Sequence, residues 1–238
     1  MLTIRIDASE VKRWTAAAGN QLPYATMLAI NRTAKMVKDE IREEMVRVFN
    51  RPKPVTLNSL VTTMATKHSL EGSVWIKDTY EYDEGIPFIN YIGPNIFGGS
   101  RHAKAYELAL RRAGILRNDM FTVAGKDAPL DQYGNIPRGL IMQMLSGLSA
   151  NRDVGVTSNI TTASRKRNKR RAMYFLMGNP FTGVYTRQNG ELKSFLKFVK
   201  APLYQPRLDF FGVGQRVIDE HLVNETVIAI EEALRTAR

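Results

Sequence analysis

The stretch LPYATMLAINRTAKMVKDEIREEMVRVFN, residues 22–50, decides the fold. Its apolar residues Tyr24, Met27, Leu28, Ile30, Ala34, Val37, Ile41, Met45, Val48 and Phe49 recur at steps of three and four, which places them on one side of an α-helix. The other side, typified by KDEIREEMVR, is densely charged. At about 1.5 Å per residue such a helix runs roughly 40 Å, the longest element the sequence predicts. A helix with a single apolar stripe lies across a sheet or against a neighbouring subunit. Pro52 and Pro54 stop it.

Upstream, LTIRID (2–7) alternates apolar and polar residues like a short half-buried strand. Asp7 or Ser9 then caps a predicted helix over SEVKRWTAAAG, which Gly19 and Asn20 end. Downstream, TLNSLVTTMATKHSLEGSVWIKD predicts two strands, about 60–67 and 73–78, turning near Glu71 and Gly72. From Thr79 to about Asn159 turn formers and aromatic residues dominate. Two helices are predicted within this region, one from His102 to Arg112 ended by Gly114, the other over PRGLIMQMLSGLSA with Pro137 near its first turn. VGVTSNITTASRKRNKRR has no helical period and few large apolar residues, and reads as a long exposed loop.

Order returns with AMYFLMG, TGVYTR and LKSFLKFVKA, three predicted strands, the last two a hairpin around Gln188, Asn189 and Gly190. They are expected to close the sheet begun by the earlier hairpin. Strict alternation puts Leu192, Ser194, Leu196 and Phe198 on one face and Lys193, Phe195, Lys197 and Val199 on the other. Pro202 and Pro206 bracket a linker, and from Leu208 to Thr236 the apolar positions again step helically. Gly212, Gly214 and Asn224 weaken that helix and predict a kink or break. Strands grouped by hairpins between long terminal helices indicate the α+β class. The expected fold is a mainly antiparallel sheet packed by a long N-terminal helix and a C-terminal helix, with an irregular central insertion. Residues 1–238 form one domain in this reading, with a core of 1–78 and 171–238 and an inserted region 79–170.

Composition narrows the chemistry. A hydrophobic fraction of 44% suffices for an ordinary core. No apolar run approaches the roughly 20 residues that cross a bilayer, and MLTIRIDASEVKRW lacks a signal peptide's apolar stretch. The reading expects a chain made and used in solution, away from membranes. Cysteine is absent, which excludes disulfides, Cys-ligated zinc and thiol nucleophiles. A formal charge of +11 favours acidic partners, nucleic acid or acidic protein surfaces.

No catalytic or cofactor motif emerges. His68, His102 and His221 fall outside any metal-binding spacing. Asp78, Glu81, Asp83 and Glu84 could offer oxygen ligands, but lack a calcium loop's spacing; as a solvated loop or an acidic interface they could meet the basic face of an adjacent copy. GGSR (98–101) before a helix and GVGQRV (212–217) are incomplete phosphate cradles. Trp14, Trp75, Phe175, Phe195 and Phe198 read as core, with base stacking along LKSFLKFVK the functional alternative. The densest feature is SRKRNKRR, where Arg165, Lys166, Arg167, Lys169, Arg170 and Arg171 crowd the end of the long loop as a contact for an acidic protein surface or DNA, or as a solvated segment.

Three stretches together resemble the prophage minor tail protein Z family. LPYATMLAINRTAKMVKDEI carries that family's small-apolar A-x-N-R-x-A helix through Ala29, Asn31, Arg32 and Ala34. The ending from GVYTR through FVKAPLYQPRLDF to EEALRTAR is similar, and the middle resembles phage proteins with RPxPxTLNSL (51–60) and GGxRxxKxxE (Gly98, Gly99, Arg101, Lys104, Glu107). The loop from about 150 to 171 departs from the family pattern.

The resemblance implies a structural virion protein of a tailed phage, acting in tail completion or in the neck. Its copies, six or twelve, would form a ring at the head-tail junction, touching connector or adaptor and tail proteins, with genomic DNA in the lumen. It would reside in the virion after assembly in the host cytoplasm, need no cofactor and perform no catalysis. The alternatives are a sequence-independent nucleic-acid-binding protein, supported by the basic cluster, and a metal-dependent nuclease whose ligands only folding could gather.

Overall fold

The computed structural model describes residues 1–5, 21–77, 87–150 and 173–236. The helix expected over SEVKRWTAAAG, with Trp14, lies outside them. The class is α+β with antiparallel sheets and long helices near both ends. The chain forms two compact units, Met1–Ile96 with Pro206–Arg238, and Phe97–Gln205.

The first unit contains β1 (Leu2–Arg5), α1 (Gln21–Val48), the one-turn α2 (Pro54–Leu57), β2 (Leu60–Thr63), β3 (Glu71–Ile76) and α3 (Ile89–Phe97, whose last residue belongs to the second unit). It also holds the C-terminal helix, Phe210–Thr236, here α6. The apolar stripe read from residues 22–50 is buried as expected: Ile30, Ala34, Val37, Ile41 and Met45 are all inaccessible to solvent. They pack with Ile4, Leu60, Val74 and Ile76 from the sheet, Phe88 and Ile92 around the start of α3, and Leu208, Phe210, Val213 and Val217 around the start of α6. Each such aliphatic side chain contributes about 1.5–3 kcal/mol by leaving water.

Helices α1 and α6 run antiparallel. Ala25 and Ala29 meet Ala229 and Ala233 near one end, and Val37 approaches Gly214 towards the other. Small side chains at these positions bring the two backbones close together. A bidentate pair from Arg32 to Glu232, at 2.8 and 3.3 Å, flanks the alanine contact. The sheet, ordered β1-β3-β2 and antiparallel throughout, covers α1.

The first hairpin turns through residues 64–70 rather than at Glu71 and Gly72, which begin β3 opposite Arg5 and Ile4. Asn31 of α1 explains the difference. Its side chain accepts from the Ala65 amide at 2.7 Å and donates to the Ala65 carbonyl at 3.1 Å, holding the connection as one more strand residue would. Gly72 serves packing: a Cβ there would lie 2.7 Å from Cγ2 of the fully buried Ile30. The break expected as one outcome in α6 is absent, the helix running unbroken from Phe210 to Thr236. Gly214 lies where the Leu2 side chain crosses the helix, so it marks a close approach rather than a break. Helix α3 occupies sequence read as irregular, Pro94 included. The Asn95 carbonyl receives the amides of Arg207 and Leu208 at 2.7 and 2.9 Å, tying the approach to α6 onto α3.

The second unit contains β4 (Gly99–Ser100), α4 (Ala105–Arg112), β5 (Met120–Ala124), α5 (Arg138–Gly147), β6 (Tyr174–Met177), β7 (Gly183–Gln188), β8 (Glu191–Lys200) and β9 (Leu203–Tyr204). The three later strands do not join the first hairpin as expected. With β5 they build a separate antiparallel sheet ordered β5-β8-β7-β6, while β4 pairs with β9 inside the stretch read as a linker. Leu110, Leu116, Ile141, Met144, Leu145, Val184, Phe195 and Leu196 form this unit's core. The β7–β8 turn is the predicted one, with Asn189 and Gly190 both at positive φ, 52° and 82°, as a two-residue hairpin requires.

Strict alternation fails in β8. The register shifts between Val184 and Tyr185, paired with Leu196 and Ser194, so Phe195 is the extra residue of a bulge. Ser194, Phe195 and Leu196 are consequently buried in succession, and Phe195 belongs with the core rather than with the lysines. Trp75 is half-buried and donates its indole N–H to Thr63 at 3.1 Å.

Two substitutions test the first unit in urea unfolding. Ala229→Leu should cost about 1–3 kcal/mol by forcing α1 and α6 apart. Asn31→Ala should cost about 1–3 kcal/mol by stranding the Ala65 amide. A loss below about 0.5 kcal/mol for both, the range of ordinary surface changes, would contradict the packing described.

Candidate functional site

The most ordered polar cluster lies in the second unit, where α4 meets the edge of β5. Gly98 and Gly99, at φ 78° and 90°, turn the chain so that Arg101 folds back beneath α4. Arg101 is 9% exposed and Glu107 fully buried. The guanidinium binds the carboxylate in a fork, at 2.7 and 2.6 Å. Glu107 also accepts from the Lys104 amide at 2.7 Å, from the Thr122 amide at 2.7 Å and from the Thr122 hydroxyl at 2.7 Å. The Tyr106 hydroxyl lies 2.8 Å from Thr122 Oγ1, which has spent its own proton on Glu107.

These contacts replace a neighbouring strand. The Thr122 amide goes to Glu107 and its carbonyl receives Arg101 at 3.2 Å, while the Met120 carbonyl receives Arg111 at 2.8 Å. At Met120 and Thr122 the outer edge of β5 is thereby satisfied by side chains. Arg101 and Arg111 also stack on Phe121, their guanidinium carbons 4.9 and 5.0 Å from the ring centre.

Burial alone would raise the Glu107 pKa, but hydrogen bonds from Arg101, Lys104 and Thr122 outweigh it and bring the group from 4.5 to about 2. A carboxylate with five donors and no open face is a fastening, not a proton carrier. The GGxRxxKxxE residues are therefore spent on tertiary structure, as are Ala29, Asn31, Arg32 and Ala34 in the first unit.

The incomplete phosphate cradles are filled from within the chain. Helix α4 begins at Ala105, and Glu107 takes the Lys104 amide at its N-terminus. Asp209 accepts the Gly212 amide at 2.9 Å at the start of α6. His68 lies exposed in the β2–β3 connection rather than in a strand, His102 is exposed before α4, and His221 is half-buried on α6. Among the described residues no three His, Asp or Glu side chains gather to hold a metal ion. No described helix is long and apolar enough to cross a membrane.

Of the residues singled out in sequence, Arg165, Lys166, Arg167, Lys169, Arg170 and Arg171 lie outside the described residues, as do Asp78, Glu81, Asp83 and Glu84. Phe175 is half-buried on β6, and Phe198 packs against the second core. Glu107 and Thr122 were not separable as a pair by sequence reading. Glu107 stands three residues after Lys104, the spacing of a capping box, but lysine in place of serine or threonine hides it.

Comparisons with protein-family models, with curated proteins and with solved structures find no match for this chain.

Glu107→Gln should destabilise the protein by about 3–5 kcal/mol, because it leaves Arg101 buried without its counter-charge. The depressed carboxylate stabilises the fold above pH 4.5, and that stability, about 3 kcal/mol, is lost as pH falls towards 2. Acid unfolding followed by circular dichroism should therefore show a smaller stability change between pH 5 and about 2 for the variant than for the native chain. An identical pH dependence would contradict the assignment.

Proposed function

We propose that this chain is a structural virion protein of a tailed phage, a tail-completion or neck component whose copies form a ring around the DNA channel at the head-tail junction. The family resemblance is one support. The observation that carries the assembly is the outer side of α6. Gly214, Glu225 and Glu232 face α1, and Val223, Val227 and Leu234 lie about half a turn away from them at 74, 50 and 55% exposure. In its C-terminal half α6 is thus apolar on its outer side as well as at the Ala229 and Ala233 contact with α1, which suits a position between two layers. Its own α1 is one layer, and the proposal makes a second copy the other.

In this reading the chain works by contact rather than catalysis. The basic cluster 165–171 and the acidic run 78–84 are contacts for neighbouring copies, for connector and tail proteins or for the genome. Negative-stain microscopy of the purified protein should show rings, and the virion neck should hold density for it. Val223→Asp combined with Val227→Asp, at exposed positions, should abolish rings while leaving the folded far-ultraviolet spectrum intact. Particles lacking neck density, together with a purified protein that stays monomeric at high concentration, would sink the proposal.

A further inference from the structure

Residues Phe97–Gln205 contain 18 Lys and Arg against 6 Asp and Glu, a net +12, whereas the rest of the chain has 16 against 17, a net −1. The whole +11 of the protein thus resides in the second unit. The basic cluster does not make this partition alone, because the unit's described residues still hold 11 basic against 5 acidic side chains.

The sheet of this unit uses one face for the core. Val184, Leu196 and Phe198 point there, so the intervening residues of β5, β6, β7 and β8 stand on the opposite face. That face carries Lys197, flanked by Val123 and Gly183 in register, and Arg187 further along β7. Phe175 and Tyr185 are paired across β6 and β7 beside them. Lys197, Arg187 and Val123 are exposed, and Phe175 and Tyr185 are half-buried. No carboxylate stands on this face among the described residues. The six-cation cluster ends at Arg171, three residues before Tyr174 opens the edge strand β6, so it is tethered to the same sheet.

We propose that the second unit is the DNA-contacting part of the protein and that this open sheet face lies against the phosphate backbone of duplex DNA. Charge complementarity selects that occupant: phosphates recur along a duplex, and binding is driven by release of the cations condensed on them. The contact is sequence-independent, since lysine and arginine on an extended face neutralise phosphates without entering a groove. The near-neutral first unit takes no part and is left for contacts between proteins. The inference rests on the neck reading for the presence of duplex DNA, but its test does not depend on ring formation.

The test uses the full chain and a fluorescent duplex of random sequence, with affinity measured by anisotropy from low to moderate salt. Lys197→Glu with Arg187→Glu should weaken binding about tenfold or more at low salt and reduce the salt slope by about 2, because each substitution leaves one phosphate without its cation. Lys35→Glu with Lys38→Glu, on the charged side of α1, changes net charge equally and should leave affinity within about twofold, as expected for charges away from the DNA. The milder Lys197→Gln with Arg187→Gln pair should fall between, and guards against a reversal that disturbs folding. Equal weakening by the two reversal pairs, or no retention of DNA by the native chain at low salt, would overturn the inference. Microscopy of the same samples keeps the two proposals apart. Rings without selective weakening on the sheet face sink this one alone, and selective weakening supports it even where the purified protein stays monomeric and virions lack neck density, the outcome that sinks the neck reading.

Discussion

The close pairing of α1 with α6 is the constraint on which the first unit depends. Alanines at 25, 29, 229 and 233 let the helices touch along their backbones, and that separation fixes what else fits. Gly214 is glycine because Leu2 of β1 crosses α6 there, and Gly72 is glycine because β3 descends onto Ile30. Asn31 sits two residues beyond Ala29 of the alanine contact and reaches the Ala65 backbone, so the same helix that seats α6 also shapes the first hairpin. Large side chains could have filled the gaps, but only small ones permit the sheet and both helices to share a core this thin.

The second unit is organised by a different force. Its α4–β5 junction is held by a buried carboxylate surrounded by donors, which would be costly if any donor were missing. The full set is present, with the guanidinium of Arg101 supplying the counter-charge and the backbone of β5 supplying hydrogen bonds that a flanking strand would otherwise take. The α1–α6 contact of one unit therefore rests on close apolar packing, and the α4–β5 junction of the other on a buried ion pair. The basic residues are also segregated into the second unit, and the sheet face that carries Lys197 and Arg187 has no carboxylate among the described residues.

Much of the architecture was legible in the sequence because periodicity survives in it. The stripe from Tyr24 to Phe49 and the Asn189-Gly190 turn needed only local rules, and both stand. What escaped depended on distant partners. Alternation in β8 assigned Phe195 to the lysine face because a bulge is invisible until β7 is laid beside it. Gly212 and Gly214 suggested a broken helix because the Asp209 cap and the crossing Leu2 side chain belong to other parts of the fold. MFTVA in β5 is too short to announce itself, and without it the sheet of the second unit could not be separated from the first. Arg101 and Glu107 stand out in the sequence as part of a motif, but the purpose of their fastening to Thr122 needed that missing strand.

The bonds along β5 also bear on strand addition. Growth by strand addition needs an unpaired backbone margin to receive the incoming strand. Glu107, Arg101 and Arg111 close that of β5 at Met120 and Thr122 with side chains that cannot be displaced without exposing a buried charge. A strand arriving at that margin would first have to strip the Thr122 backbone of Glu107 and Arg101.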